Sequence, residues 1–132
     1  MATTTYLLDS HALVWALTEP RKLSAKTRRI IQSIDNVLVA SAATAYELSY
    51  KHQIGRLPGL DALFVGYRRH VVELTSEELP VSGSHALEAG RLDWDHRDPF
   101  DRLIAAQAMI EGMPLITADP VFTGLTGLEV IW

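Results

Sequence analysis

The chain has 132 residues, 48% of them hydrophobic and 21% charged, the balance of an ordinary globular protein with enough length for one domain and its own core; this excludes a wholly disordered chain. It has no cysteine, which excludes disulfides and thiolate metal sites and leaves any metal to carboxylates, histidines, carbonyls or water. The net charge of −4 lacks the basic excess of a typical nucleic-acid binder, but a carboxylate-lined metal site would itself make a chain acidic.

The segment Met1 to Thr5 has no basic flank and does not read as a signal peptide, and no apolar run approaches membrane-spanning length. The expectation is a cytoplasmic, single-domain protein over residues 1–132. Thr5 to Leu8 is a short apolar and β-branched run that reads as a buried first strand ending at Asp9. His11 to Leu17 is apolar at helical spacing and stops before Glu19-Pro20. Ser24 caps a helix to about Ile34, with Ile30, Ile31 and Ile34 as its apolar side. Asn36 to Ala40 is a second buried strand, and Ser41 or Thr44 starts a helix to about Gln53, with Gly55 past its end. Leu60 to Arg69 reads as a helix, Val71 to Leu74 as a third strand and Ser84 to Arg91 as a short helix. Pro99 to Glu111 is the clearest helix, opened by Asp98-Pro99 and stopped by Gly112. Pro114 to Thr117 is a fourth strand and Leu128 to Ile131 a fifth. Short apolar strands alternating with helices predict an α/β domain with a mainly parallel sheet.

In an open parallel sheet, sites form outside the carboxyl ends of the strands. Asp9 ends the first strand and Asp119 lies just past the fourth. Glu47 falls early in the helix after the second strand, where it can face the same rim. Asp101 opens a helix that precedes its strand, so strand order does not place it. Each acid also has an ordinary explanation. Asp9 can cap the following helix, and Asp119-Pro120 is a common turn starter. Asp98 and Asp101 have the spacing of a capping box, and Glu47 stands four residues before Lys51, a favourable helix pair. The combination says more. Ala43 and Thr44 flank Glu47, and Ala105 and Ala108 share the face of Asp101, so small neighbours let these helices pack closely. Clustered carboxylates repel one another in a partly buried site unless a cation resolves the repulsion, and oxygen ligands without cysteine favour Mg²⁺ or Mn²⁺. No histidine pair has zinc spacing; His11 and His96 lie near the acids, and packing on its helix accounts for His11 better than catalysis does. The basic clusters Arg28-Arg29, Arg68-Arg69 and Lys51 with Arg56 read as solvated helix faces.

Four segments, in order, resemble the PIN-domain family, and specifically the VapC-type toxin ribonucleases of type II toxin–antitoxin pairs. They are Tyr6-Leu7-Leu8-Asp9-Ser10-His11-Ala12-Leu13-Val14-Trp15; Ser41-Ala42-Ala43-Thr44-Ala45-Tyr46-Glu47-Leu48 with Lys51 and Gly55-Arg56-Leu57; His96-Arg97-Asp98-Pro99-Phe100-Asp101-Arg102-Leu103-Ile104-Ala105-Ala106-Gln107-Ala108; and Pro114-Leu115-Ile116-Thr117-Ala118-Asp119. The third is the most specific. Ser10 stands where the family often has threonine and keeps the hydroxyl. The resemblance implies a three-layer α/β/α sandwich with a central, mainly parallel sheet of four to five strands. It implies that Asp9, Glu47, Asp101 and Asp119 form an acidic site for one or two Mg²⁺ or Mn²⁺ ions, with Asp98, Ser10 and Thr117 as auxiliaries. It further implies an RNA substrate, a homodimer, an antitoxin that blocks the site, no membrane association, and DNA reached only through the antitoxin. Arg102 or Lys51 then either contacts the RNA backbone or pairs with a neighbouring acid. Two rivals remain: an inactive RNA-binding relative, and a Mg²⁺-dependent aspartyl phosphohydrolase. The second is disfavoured because its usual second Asp is replaced here by His11.

Overall fold

The computed structural model describes residues 3–132; Met1 and Ala2, the start of the segment read as no signal peptide, lie outside the described residues. In chain order the elements are β1 (Thr5–Leu8), α1 (Ser10–Thr18), α2 (Ala25–Gln32), β2 (Val37–Ser41), α3 (Ala42–Gln53), α4 (Asp61–Phe64), α5 (Tyr67–Leu74), β3 (Glu77–Leu79), α6 (Gly83–Arg91), α7 (Pro99–Glu111), β4 (Leu115–Ile116) and β5 (Val130–Ile131). Short 3₁₀ turns cover Pro20–Lys22 and Pro120–Gly124. The five strands form one sheet in the order β3-β2-β1-β4-β5, and every pairing is parallel.

The register explains the layers. Leu7 lies opposite Val39 and Leu115, and Leu8 opposite Ala40 and Ile116. The two-residue period of a strand sends the first trio to one face and the second to the other. Leu7, Val39 and Leu115 pack with Ala89 of α6 and Ile104, Ala105 and Ala108 of α7. Leu8, Ala40 and Ile116 pack with Ala12 and Leu13 of α1 and Val71 of α5. Helices on both sides of the sheet make the α/β/α sandwich. The chain moves outward from β1 through β2 to β3, then returns across β1 to β4. The β1/β4 junction is therefore the topological switch point, where an open parallel sheet leaves a crevice at its carboxyl edge. Asp9 N–H donates to the Ile116 carbonyl at 3.1 Å there, so the residues after β1 and β4 emerge side by side.

Three expectations are corrected. Val71 to Leu74 is the end of α5, not a strand: Val71, Leu74 and Thr75 turn inward while Val72 is 62% exposed, a helical period. The third strand is instead Glu77–Leu79, at the sheet edge. The helix expected over Leu60 to Arg69 is two helices, broken at Gly66, whose φ of 75° is a left-handed conformation. Ile34 is 98% exposed and lies beyond the end of α2 at Gln32, so only Ile30 and Ile31 serve its apolar side.

Candidate active site

Asp9 leaves β1 and caps α1. Its Oδ1 accepts from the Ala12 N–H at 2.8 Å, and its Oδ2 accepts from the Thr117 hydroxyl, which arrives from the end of β4. The side chain is buried. Burial raises its pKa from 3.8 to about 6, and the charge of Asp101 adds to the rise; the Thr117 and Ala12 hydrogen bonds and His11 pull the other way.

Glu47 is equally buried on α3. Ser10, one residue after Asp9, donates to its Oε1 at 2.5 Å and lies 3.3 Å from the Thr44 hydroxyl. Lys51, one helical turn on, pairs with Oε2. Burial pulls the Lys51 pKa down, but the hydrogen bond and charge of Glu47 outweigh it and the net shift is upward. The expected helix pair thus exists, with its acid inside the protein instead of in solvent.

Asp101 and Asp98 enter at the start of α7. Asp98 Oδ1 accepts from the N–H groups of Phe100 at 2.9 Å and Asp101 at 3.1 Å, an N-cap. The Asp101 carboxylate does not complete a capping box. It turns to His96, whose Nε2 meets Oδ2 at 2.6 Å. Burial raises the Asp101 pKa, Asp98 and Glu47 add to the rise, and the His96 hydrogen bond opposes it.

Asp119 is the outlier. It is exposed, its Oδ1 caps the following turn through the Val121 N–H at 3.0 Å, and its own N–H donates to Thr117 Oγ1 at 3.0 Å. Thr117 is therefore the link between Asp9 and Asp119. Among the described residues, the three His and acid ligand atoms that approach within 4.8 Å of one another belong to His96, Asp98 and Asp101; no three of Asp9, Glu47, Asp101 and Asp119 come that close. Asp101 contributes to the field at Asp9, and Glu47 to the field at Asp101, so these three acids share one electrostatic site.

Two roles were invisible in the sequence. His96 precedes the helix, and no spacing rule ties it to Asp101. Arg102 is half-buried and does not pair with an acid: its guanidinium donates to the carbonyls of Ala89, Leu92, Trp94 and His96 at 2.8 to 2.9 Å. It fixes the segment that delivers His96 to Asp101.

The chain is similar to known proteins in sequence and in fold. Residues 6–127 match the PIN domain family. The chain is 32% identical over 117 residues, 88% of each protein, to "Ribonuclease VapC22" of Mycobacterium tuberculosis. Its fold is similar to VapBC2 from Rickettsia felis bound to a DNA fragment from their promoter, with TM-score 0.74, 18% identity and coverage of 98% and 99% of the two chains. It is also similar to VapBC-5 from Mycobacterium tuberculosis, of the VapBC family of toxin–antitoxin systems, with TM-score 0.66, 22% identity and coverage of 97% and 98%. No helix among the described residues is long and apolar enough to cross a membrane. With the profile match over most of its length, a relative at 32% identity and the same parallel α/β/α fold, this chain belongs to the PIN domain family.

Proposed function

We propose that this chain is a Mg²⁺- or Mn²⁺-dependent endoribonuclease, the toxin of a VapC-type toxin–antitoxin pair, with its site at Asp9, Glu47, Asp101 and Asp119. The observation that carries the reading is the convergence of Asp9 and Asp101. They come from separate motifs, Asp9 stands at the switch point of the sheet, the charge of Asp101 raises the pKa of Asp9, and burial raises both. The donor set fits a hard divalent ion: carboxylate oxygens, one nearby imidazole and no thiolate. The Arg102 guanidinium is spent on carbonyls, and Lys51 pairs directly with Glu47 while feeling Asp98 and Asp101 only through their charge. A bound cation would balance Asp9 and Asp101 together, beyond what His11 and His96 do for each separately.

Asp9 and Asp101 would hold the principal ion, with Asp119 and Glu47 as further ligands directly or through water. When bound, the ion supplies an acidified water and charge to offset the scissile phosphate. The protein supplies position. Thr117 holds Asp9 Oδ2, Ser10 holds Glu47 Oε1, and His96 aims Asp101. Asp98 fixes the first turn of α7 on which Asp101 stands. Glu47 is held with one oxygen on Ser10 and the other on Lys51, and its remaining lone pairs would orient a water on the phosphate.

The VapB–VapC complexes among the structural relatives support a cognate antitoxin as partner, with DNA bound through that partner. A cytoplasmic homodimer of one PIN domain per chain completes the proposal. The deciding experiment is cleavage of a mixed pool of structured RNAs by partner-free protein in Mg²⁺, Mn²⁺ or EDTA, beside Asp101→Asn. Cleavage that needs both metal and Asp101 supports the reading. A folded protein that binds the pool without cutting it is an inactive RNA-binding relative.

A further inference from the structure

A cleft of about 200 Å³ opens beside the acids, between α1, α3 and the Leu57–Leu60 loop. At one end it reaches Ser10, Glu47 and Lys51 of the candidate active site, and at the other Glu19 and Lys22. The nine residues of α1 put these ends roughly 13 Å apart, the scale of one nucleotide from phosphate to base edge. The volume is below the roughly 300–1,000 Å³ of a drug-sized pocket and suits one planar ring system. Its wall is aromatic: Trp15 lines it, with the His11 ring packed 5.9 Å away on the same helix face. Trp132 packs against Trp15 edge-on at 5.8 Å and braces it.

The far end carries a defined polar pattern. Lys22 Nζ lies 3.2 Å from Glu19 Oε1 and 5.8 Å from the Trp15 ring centroid. A three-pronged donor therefore stands beside a two-oxygen acceptor at the edge of an aromatic wall. The edge of guanine is the complement: one acceptor, O6, beside two donors, N1–H and the N2 amino group. Adenine presents the opposite order at its first two positions, and pyrimidines reach less far from the sugar.

We propose that this cleft is a guanine subsite, in which the base of a nucleotide adjoining the scissile phosphate stacks on Trp15. Glu19 accepts from N1–H and N2–H, and the flexible Lys22 chain moves from the indole to O6. This deepens the ribonuclease reading and rests on it for the link to cleavage, but nucleotide binding can be read without any cleavage.

The test is a nuclear magnetic resonance titration of the Trp15 indole N–H, identified with Trp15→Phe, using GMP, IMP, AMP and UMP in EDTA. The expected result is a saturable shift with GMP and at least about fivefold weaker binding of IMP, which lacks the N2 amino group, and of AMP. In Glu19→Gln, at a half-exposed side chain, the preference for GMP over AMP should fall to about twofold or less. A Trp15 signal that no nucleotide moves, or that all four move equally, overturns the proposal; the first outcome leaves the cleft to an apolar side chain of a protein partner. Guanine-selective binding by a protein that never cleaves RNA retains the subsite and removes the nuclease reading. Metal-dependent cleavage with no guanine preference near the cut does the reverse.

Discussion

Adjacent residues on α7 have opposite roles. Asp101 sits among like charges with His96 as its hydrogen-bond partner, whereas Arg102 is consumed by four main-chain carbonyls. Asp101→Asn is expected to lower RNA cleavage by about 10²-fold or more, the range for losing a positioned catalytic group, with little change in unfolding midpoint. Arg102→Ala is expected to cost about 2–4 kcal/mol in urea unfolding, because several half-buried carbonyls lose a charged donor at once. Full stability in Arg102→Ala would show that the guanidinium is not holding the loop. The residue scale also shows why single acids are ambiguous in the sequence. Asp9 is a helix cap and also a proposed site residue, and its two oxygens have different partners. Oδ1 takes the Ala12 N–H, and Oδ2 faces Thr117. Asp98 and Asp119 are caps as well. A capping carboxylate keeps a second oxygen free to be a ligand, so weighing one reading against the other does not find the site.

At the scale of elements, legibility follows the strength of the local signal. α7 is readable to the residue because Asp98, Pro99 and the left-handed Gly112 fix both its ends. β1 and β2 announce themselves as apolar runs buried on both faces. β3 does not: Glu77-Glu78-Leu79 lies on the sheet edge with its glutamates in solvent, and its place is set by pairing with Val39 to Ser41. The nearby Val71-Val72 attracts a strand reading because its β-branching is more conspicuous than its helical period. Asp101 is placed from the sequence only by resemblance, since no strand precedes α7 directly. Another element-scale feature is also unreadable there, a buried polar relay. Ser41 donates to Gln107 Oε1 at 2.5 Å, Gln107 Nε2 reaches the Pro80 carbonyl at 3.3 Å and His85 Nδ1 at 3.4 Å, and His85 Nε2 meets Glu111 at 3.0 Å. It ties β2 and the segment after β3 to α6 and α7 across long sequence separations. Gln107→Leu leaves the Ser41 hydroxyl and the Pro80 carbonyl without their partner, and should cost about 1–3 kcal/mol by chemical denaturation. Cleavage per folded molecule should stay near wild type; a parallel loss of activity and stability would mean that the relay also shapes the site.

For the whole molecule, the buried acids couple folding to pH, and the proposed metal site would couple it to the ion as well. The pKa of Asp9 rises from 3.8 to about 6 on folding, and Asp101 moves in the same direction. A raised carboxyl favours the folded state only while protonated. Its contribution is therefore complete below about pH 4 and is lost as the pH climbs through about 6. For Asp9 alone that shift corresponds to about 3 kcal/mol withheld from the metal-free protein at neutral pH. In EDTA, Asp9→Asn should then be more stable than wild type at pH 7.5, and the gap should close on going to pH 4.5, where both carry an uncharged side chain. Adding Mn²⁺ should reverse the order at pH 7.5. The wild type gains about 2.7 kcal/mol when the ion is at a hundred times its dissociation constant, and the variant gains little. Thermal unfolding at two pH values, with and without the ion, reads all four quantities. If Asp9→Asn tracks the wild type in EDTA at both pH values, Asp9 carries no stored electrostatic strain. If Mn²⁺ stabilises both proteins equally, the ion sits away from Asp9, and the His96, Asp98 and Asp101 group becomes the place to look for it.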